Sequence, residues 1–185
     1  MRSTLVPTEE DGVTQICIRS EMASDVAAIR EVNRAAFEHH PFSQQTEHLI
    51  VDALRDDGAL ALSLVALLDG QVVGHVAFSR AFVGDDSSGW YLLGPLAVLP
   101  DNQRAGIGSA LVEAGLAGIG ALGALGCVLV GDAGYYGRFG FSALPGLAYR
   151  GVPDEHVLGL ALGERLPTGV IRAHEAFHVT ADGGL

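Results

Sequence analysis

The most informative stretch of the chain is residues 96–112, which read Leu-Ala-Val-Leu-Pro-Asp-Asn-Gln-Arg-Ala-Gly-Ile-Gly-Ser-Ala-Leu-Val. An apolar strand ends before Pro100, and a helix begins around two glycines, Gly106 and Gly108. The backbone N–H groups of such a strand-to-helix turn converge with the helix dipole on one point. Because neither glycine has a Cβ atom, a pyrophosphate group can come close to the backbone. The stretch therefore predicts an anion site at the start of a helix.

The turn differs from two common phosphate-binding motifs. It lacks the Gly-Lys-Ser/Thr ending of a P-loop, and it lacks the third glycine of the Gly-x-Gly-x-x-Gly dinucleotide fingerprint. Taken alone, Gly106-x-Gly108 fits a tight turn between a helix and a sheet equally well. The anion site depends on support from the rest of the chain.

A strand is predicted immediately before this stretch, at Trp90–Val98. Pro95 interrupts it, and proline cannot donate a hydrogen bond to a neighbouring strand. We therefore expect an edge, a bulge or a parting of strands at Pro95.

The apolar run from Ala105 to Gly131 contains a single charged side chain and is long enough to span a membrane. It also contains eight glycines, and at Gly126 it changes from small and Leu-rich to strand-like. This favours a buried helix followed by a buried strand, Cys127–Val130, over a membrane span.

The remaining elements indicate one mixed α/β domain. Asp69-Gly70 between two apolar runs is the favoured connection of a type I′ hairpin. The predicted order is β-α-α-β-β-β-α-β-α, then α-β, which fits neither a Rossmann nor a TIM arrangement. The other predicted elements are a strand at 14–19, helices from 24 to 37 and 45 to 57, strands at 61–68 and 71–82, a Tyr-rich helix near 134–139, a helix near 154–162 and a strand near 169–172.

Composition excludes several classes of function. The 185 residues carry 22 Asp+Glu against 11 Lys+Arg, a net charge of -11, and all eleven cations are arginine. This balance argues against a nucleic-acid partner, and the absence of lysine excludes Schiff-base chemistry. An acidic chain favours a cationic substrate such as a protonated amine. Cys17 and Cys127 stand among apolar neighbours and are expected to be small buried hydrophobes rather than a disulfide or metal pair.

The 96–112 stretch resembles the acetyl-CoA-binding core of the GNAT superfamily of N-acetyltransferases. The similarity rests on Leu96-Ala97-Val98, Pro100, Gln103-x-x-Gly106-x-Gly108 and Leu111-Val112. The similarity extends beyond this motif: three stretches are similar to a branch of uncharacterised bacterial GNAT proteins, and the whole covers roughly residues 14–178. These stretches are 94–98, 126–141 with Tyr-Tyr-Gly-Arg-Phe-Gly-Phe at 135–141, and 174–177.

The resemblance implies a splayed mixed central sheet flanked by helices. Strand Trp90–Val98 would part from Cys127–Val130, and the pantetheine arm of acetyl-CoA would pair with the exposed backbone of the first. The pyrophosphate would sit on the N–H groups of 104–109. The implied cofactor-binding residues are Leu96, Ala97, Val98, Gln103, Arg104, Ala105, Gly106, Ile107, Gly108 and Ser109.

The resemblance also implies a role for Tyr136 as general acid. Tyr136 lies four residues before Gly140, where the family carries a tyrosine aimed at the thioester sulfur. Its phenol would donate a proton to the departing thiolate. Both Tyr135 and Tyr136 also fit the simpler interpretation of large amphipathic packing residues.

The general base stays open at this point. Many family members carry a carboxylate on the strand equivalent to Trp90–Val98, and this chain has none there. A chain of water molecules leading to bulk solvent is equally compatible. The candidate side chains are Glu38, His39, His40, Glu47, His75 and Ser79.

Two competing functions arise from the sequence. His174-Glu-Ala-Phe-His178 satisfies the His-Glu-x-x-His pattern of zinc hydrolases, which requires a helix and a further ligand, yet the preceding residues indicate a strand. The missing carboxylate on 90–98 also fits a module that binds acyl-CoA without turnover.

The sequence as a whole predicts an acetyl-CoA-dependent N-acetyltransferase that acts by direct attack in a ternary complex. Its acceptor would be an amine, in a small molecule, with no metal, nucleic acid or membrane involved. We expect a leader at 1–13, one domain at 14–178, a tail at 179–185 and a cytoplasmic location. A homodimer is compatible with the sequence.

Overall fold

The structure, a computed structural model, describes residues 16–41 and 43–180, with only the backbone of residues 86–88. The expected leader at 1–13 and the end of the expected tail, 181–185, lie outside the described residues. The strands are β1 Cys17–Ser20, β2 Leu60–Leu68, β3 Gln71–Val83, β4 Asp86–Val98, β5 Gly126–Val130, β6 Ser142–Ala143, β7 Leu147–Tyr149, β8 Val157–Ala161 and β9 Gly169–Arg172. The α-helices are α1 Val26–Phe37, α2 Glu47–Asp56, α3 Ile107–Ala121 and α4 Ala133–Tyr136. Single 3-10 turns cover Ala23–Asp25, Pro100–Asn102, Gly137–Phe139, Asp154–His156 and Glu175–His178.

Most of the predicted elements are confirmed. The β2–β3 hairpin turns at Asp69 (φ 49°) and Gly70 (φ 79°), the two positive φ angles that a type I′ turn requires. The apolar run at 105–131 separates into the helix α3 and the strand β5, as expected. No helix in the described part of the chain is long and apolar enough to cross a membrane.

Two predictions are wrong. The helix expected near 154–162 is a 3-10 turn followed by strand β8, which pairs antiparallel with β5 along its whole length, from Val157 opposite Val130 to Ala161 opposite Gly126. Val157 and Leu158 are fully buried between neighbouring strands, and this burial outweighs any local helical preference. Cys17 is exposed because β1 pairs with β2 at the edge of the sheet and the thiol faces outward, whereas Cys127 is buried as expected.

The described strands form one nine-stranded mixed sheet in the order β1-β2-β3-β4-β5-β8-β6, with β9 pairing β3 and β7. The β4–β5 pairing is parallel and covers only Trp90 with Gly126, Tyr91 with Cys127 and Leu92 with Val128. Beyond Leu92, β4 continues beside β3 alone. The sheet therefore splits between β4 and β5.

A bulge in β4 marks the start of the split. Leu93 pairs with Phe78 and Leu96 with Val76, so Gly94 and Pro95 together stand opposite the single residue Ala77. Such a bulge bends its strand and ends regular pairing. The expectation of a bulge or parting at Pro95 is confirmed on both counts.

The two faces of the sheet are covered differently. Helix α3 lies on one face, where Cβ atoms added to Gly74 and Gly118 would meet the side chains of α3 and β2 respectively. The edge of the Phe78 ring occupies the space beside Gly115, so the α3 backbone packs directly on β3. Helices α1 and α2 cover the opposite face, where α1 contacts β3 and β4. Different helices thus cover the two faces of the split sheet.

A buried polar chain fixes α1 and α2 to their face of the sheet. Asn33 of α1 donates through Nδ2 to the carbonyl of Ile29 (2.9 Å) and to His75 Nδ1 (3.1 Å), so the ring proton of His75 resides on Nε2. Nε2 lies 2.9 Å from Ser63 Oγ, which in turn donates to Glu21. Arg55 of α2 clamps Glu21 with two hydrogen bonds of 2.9 and 3.0 Å.

Gly115 and Gly120 provide a matched test of the packing of α3. We expect Gly115→Ala to lower the free energy of unfolding by about 1–3 kcal/mol, because its methyl group would overlap the Phe78 ring. Gly120 is exposed, with Leu162 Cδ1 4.0 Å from an added Cβ as its nearest neighbour, so Gly120→Ala should raise stability by about 0.5 kcal/mol. Urea unfolding of both variants measures the difference. Equal effects at the two positions would contradict the close packing.

His75 should make stability depend on pH. Burial lowers the pKa of His75 to about 4, whereas an unfolded histidine titrates near 6.5. Below pH 6.5 the unfolded chain therefore binds a proton that the folded chain does not. As the pH is lowered from 6.5 to 4, the free energy of unfolding decreases by up to about 1.4 kcal/mol per pH unit. Unfolding free energies at pH 7, 6 and 5 should show a shallower fall for His75→Gln. Burial also lowers the pKa of His48, but both proteins keep that residue, so it contributes equally to both. Parallel curves of unfolding free energy against pH would show that His75 is not the source of the pH dependence.

Candidate active site

The β4 edge that faces the split carries free backbone groups. Leu99 N donates to Val73 O (2.9 Å). Successive residues of an antiparallel strand direct their backbone N–H and C=O groups to opposite sides, so these groups of Leu96 and Val98 point away from β3. They point into the split, where β5 no longer pairs. One of these groups, the Val98 carbonyl, accepts from Gln103 Nε2 at 3.1 Å. The rest of the edge can pair with an extended ligand.

The start of α3 lies beside this edge. Gly106 precedes the helix with φ 83°, a left-handed conformation, and the space beside its Cα is open within 4 Å. Among the described residues no side chain caps the helix. The N–H groups of Ile107, Gly108 and Ser109 therefore have no partner within the helix, as is usual in a first turn. Val98 Cγ2 lies 3.8 Å from a Cβ built on Gly108. Donors and the positive end of the helix dipole therefore meet the free strand edge at one point.

The residues predicted to bind a cofactor thus come together, but they differ in what they offer. Ile107 buries its side chain in the core and so offers its backbone only. Ala97 is buried in the sheet, and its backbone groups face His75 of β3 rather than the split. Gln103 turns its amide back to β4. Arg104 and Ala105 are exposed, and Arg104 holds a positive φ of 62°.

The two tyrosines of α4 stand on the far side of the split. Asp132 caps this short helix by accepting from Gly134 N at 3.0 Å. Tyr136 packs into the α3 side of the core, with its ring centroid 6.0 Å from that of Phe141. Burial raises the pKa of the Tyr136 hydroxyl well above its ordinary value, so this phenol keeps its proton at neutral pH.

Tyr135 points in a different direction from Tyr136, toward α3, and no sequence pattern predicted this contact. Its hydroxyl oxygen lies 2.7 Å from a Cβ built on Gly108, so it reaches across to the first turn of α3. Its ring meets that of Tyr136 edge-on, with 4.9 Å between centroids. A contact between residues 27 positions apart in the chain can be found only from tertiary structure.

The candidate bases separate into three groups. Glu38, His39 and His40 are exposed. His75 and Ser79 are fully buried, His75 within the polar chain and Ser79 with a hydroxyl that has no partner among the described residues. Glu47 is the first residue of α2, and its Oε1 accepts a hydrogen bond from Ser43 Oγ at 2.6 Å. Its Oε2 is buried and has no hydrogen bond to any described residue. Glu47 is thus the candidate whose carboxylate lacks a buried partner.

The C-terminal segment closes the face opposite α3. The 3-10 turn Glu175–His178 packs against α2, and the Phe177 ring lies 3.9 Å from a Cβ built on Gly94, at the β4 bulge. His174 Nδ1 accepts from Ala176 N at 3.2 Å, which makes it the cap of this turn. The α-helix that the zinc motif requires is therefore not formed. Within residues 16–41 and 43–180 no group of three or more His, Cys, Asp or Glu side chains is placed to hold a metal.

Comparison with known proteins agrees with this geometry. The model of the acetyltransferase (GNAT) domain matches residues 60–143. The uncharacterized N-acetyltransferase YjhQ of Escherichia coli (strain K12) is 39% identical over 140 residues, which cover 72% of this chain and 75% of YjhQ.

Two similar structures were solved with the coenzyme. A GNAT family acetyltransferase from Brucella melitensis, in complex with acetyl-CoA, is 48% identical, with a TM-score of 0.79 over 89% of this chain and 99% of that one. YhbS from Escherichia coli, in complex with CoA, is 32% identical, with a TM-score of 0.84 over 92% of this chain and 96% of that one. The split sheet, the glycine-rich start of α3 and these similarities lead to one conclusion: this chain belongs to the GNAT family of acetyltransferases.

Proposed function

We propose that this protein transfers the acetyl group of acetyl-CoA to an amine of a small molecule, by direct attack within a ternary complex. The observation that carries the proposal is the free β4 edge lying beside the unpaired N–H groups of α3. The first can pair with the amides of an extended pantetheine arm, and the second can bind a pyrophosphate. The relatives solved with acetyl-CoA and CoA support the same use of the site.

The residues present fit acetyl-CoA in charge as well as in shape. Gly106 leaves open space where a side chain would stand, and the first turn of α3 offers several backbone donors. Leu96 and Val98 supply the strand edge, while Arg104 through Ser109 supply the anion cradle. The thioester end of an arm so placed would reach the bulge at Gly94-Pro95, because that is where β4 leaves the regular pairing.

Tyr136 is proposed as the general acid. Its hydroxyl is protonated at neutral pH, as a tyrosine phenol ordinarily is, and burial raises its pKa further. The acceptor attacks as the free amine, after its ammonium proton has passed to solvent water. Its nitrogen bonds to the acetyl carbon, the carbon–sulfur bond breaks, and the phenol donates its proton to the departing thiolate. The proton that the new amide nitrogen sheds returns to the phenolate through water.

The face opposite α3 is proposed as the acceptor side. An amine reaches the protein as an ammonium ion, and a net charge of -11 attracts it. Of the candidate bases, Glu47 has a buried carboxylate oxygen, Oε2, that accepts no hydrogen bond from any residue the structure describes, and an ammonium group would satisfy it. Phe177 at the bulge would provide an apolar wall to this side.

Release of free thiol from acetyl-CoA tests the activity directly. Purified protein is mixed with acetyl-CoA and a panel of small primary amines, and released CoA is followed with a thiol reagent. We expect amine-dependent release. Calorimetric binding of acetyl-CoA without thiol release from any amine would favour a binding module, and failure to bind acetyl-CoA would refute the proposal.

Tyr136→Phe isolates the proposed acid, since it keeps the ring and removes the hydroxyl. We expect kcat to fall by about 10²–10⁴ while the affinity for acetyl-CoA changes little. Tyr135→Phe, measured at saturating acetyl-CoA, should leave kcat nearly unchanged. A Tyr136→Phe enzyme that turns over at close to the wild-type rate while chemistry limits kcat would show that the proton comes from another group.

Glu47→Gln tests the acceptor side. Loss of the charge should raise KM for the best amine of the panel by about tenfold to hundredfold and leave KM for acetyl-CoA unchanged. Glu31→Gln is the matched control, because Glu31 lies on α1 with its side chain 65% exposed and pairs with Arg34. Equal KM values for the amine in the two variants would remove Glu47 from the site.

A further inference from the structure

We propose that Tyr135 and Arg138 form the second wall of the phosphate cradle, with the Tyr135 hydroxyl donating a hydrogen bond to the pyrophosphate and Arg138 supplying a positive charge. This inference rests on the proposed use of acetyl-CoA. It assigns to the segment from α4 to the following 3-10 turn a binding task that is separate from the proposed proton donation by Tyr136.

The position of the Tyr135 hydroxyl is the first support. It lies 2.7 Å from a Cβ built on Gly108, the second residue of α3, and so stands beside the unpaired N–H groups of the first turn. It makes no hydrogen bond to another residue in the part of the chain that the structure describes. A phenol placed among donors that converge on one point adds a further donor for the same anion.

Arg138 is seated on Tyr135. Its Nε donates to the Tyr135 carbonyl at 2.9 Å, and its Cζ lies 4.6 Å from the centroid of the Tyr135 ring. The carbonyl uses one donor of the guanidinium and the ring covers one of its faces, so its terminal nitrogens remain available. Because Arg138 is exposed, it can meet a charged group that arrives from solvent.

The distribution of ion pairs is the second support. The arginines of β1, α1 and α2 are all neutralised by carboxylates: Arg19 by Asp25, Arg30 by Asp52, Arg34 by Glu31 and Arg55 by Glu21. Arg138 makes no ion pair with any residue in 16–41 or 43–180, which is also true of Arg80, Arg104, Arg150 and Arg172, and of these it is Arg138 that stacks on Tyr135. In a chain of net charge -11, an arginine left without a carboxylate beside an anion cradle is available to an anionic ligand.

The aromatic ring links the two contributions. The stacking of Arg138 needs the ring of Tyr135, whereas the proposed hydrogen bond needs its hydroxyl. Tyr135→Phe therefore removes the donor and leaves the guanidinium seated. Arg138→Gln removes the charge and leaves the hydroxyl in place.

Calorimetry with CoA, 3′-dephospho-CoA and pantetheine tests both contributions. We expect Tyr135→Phe to lower the affinities for CoA and for dephospho-CoA by the same factor, about tenfold to hundredfold, because both ligands carry the pyrophosphate. Pantetheine, which has no phosphate, should bind the variant and the wild type alike. Tyr149→Phe, which removes a half-buried phenol from β7, is the matched control.

Salt dependence separates the charge from a structural role. For Arg138→Gln we expect weaker CoA binding and a smaller loss of affinity between 50 mM and 500 mM NaCl, since one charge contact is missing. Arg34→Gln on α1, with its side chain 66% exposed, should match the wild type.

Four outcomes would overturn the inference. They are unchanged CoA affinity in Tyr135→Phe, a loss seen with CoA but not with dephospho-CoA, an equal loss with pantetheine, and an unaltered salt dependence in Arg138→Gln. If the wild-type protein binds none of the three ligands, the proposed function fails and this inference with it. If CoA binds equally to the wild type and both variants, only the second wall is refuted.

Discussion

The parting of β4 from β5 is the constraint on which the rest of the site depends. Three residue pairs hold the two strands together, and the bulge at Gly94-Pro95 then turns β4 out of regular pairing. A strand in the middle of a sheet normally exposes no backbone donors or acceptors, because both neighbours use them. Here the split leaves a stretch of β4 unpaired inside the molecule, next to the start of α3. A cofactor arm can take the place of the missing strand.

Different interactions position the helices on the two faces of the sheet. On the α3 face, glycines let the helix backbone pack on β3, which sets where the first turn meets the split. On the other face, hydrogen bonds run from Asn33 through His75 and Ser63 to Glu21 and fasten α1 and α2 to the sheet. Most of the buried polar groups in this network are hydrogen-bonded. Helix α2, fastened in this way, contacts the segment that carries Phe177, and the Phe177 ring lies beside Gly94 at the bulge.

Charge is arranged locally rather than uniformly. The overall excess of acid opposes an anionic cofactor and favours a cationic acceptor. Carboxylates neutralise the arginines of α1 and α2, whereas the start of α3 presents backbone donors and the positive end of a helix dipole. The proposed function uses this contrast, with a polyanion on one side of the sheet and an ammonium ion on the other.

The sequence by itself determined what neighbouring residues can encode. Asp69-Gly70 specified its hairpin, Pro95 its bulge, and Gly106 the turn into α3, because each depends on backbone conformations set within a few residues. The role of Tyr136 was a prediction from a motif, and it stays a prediction. Tertiary structure alone decided that 157–161 is a strand, since its partner β5 lies 27 or more positions earlier, and that Cys17 faces outward from an edge strand. It alone placed Tyr135 against Gly108 and brought Phe177 to Gly94. Those contacts join distant parts of the chain, and no local periodicity or spacing records which distant side chain will fill a given space.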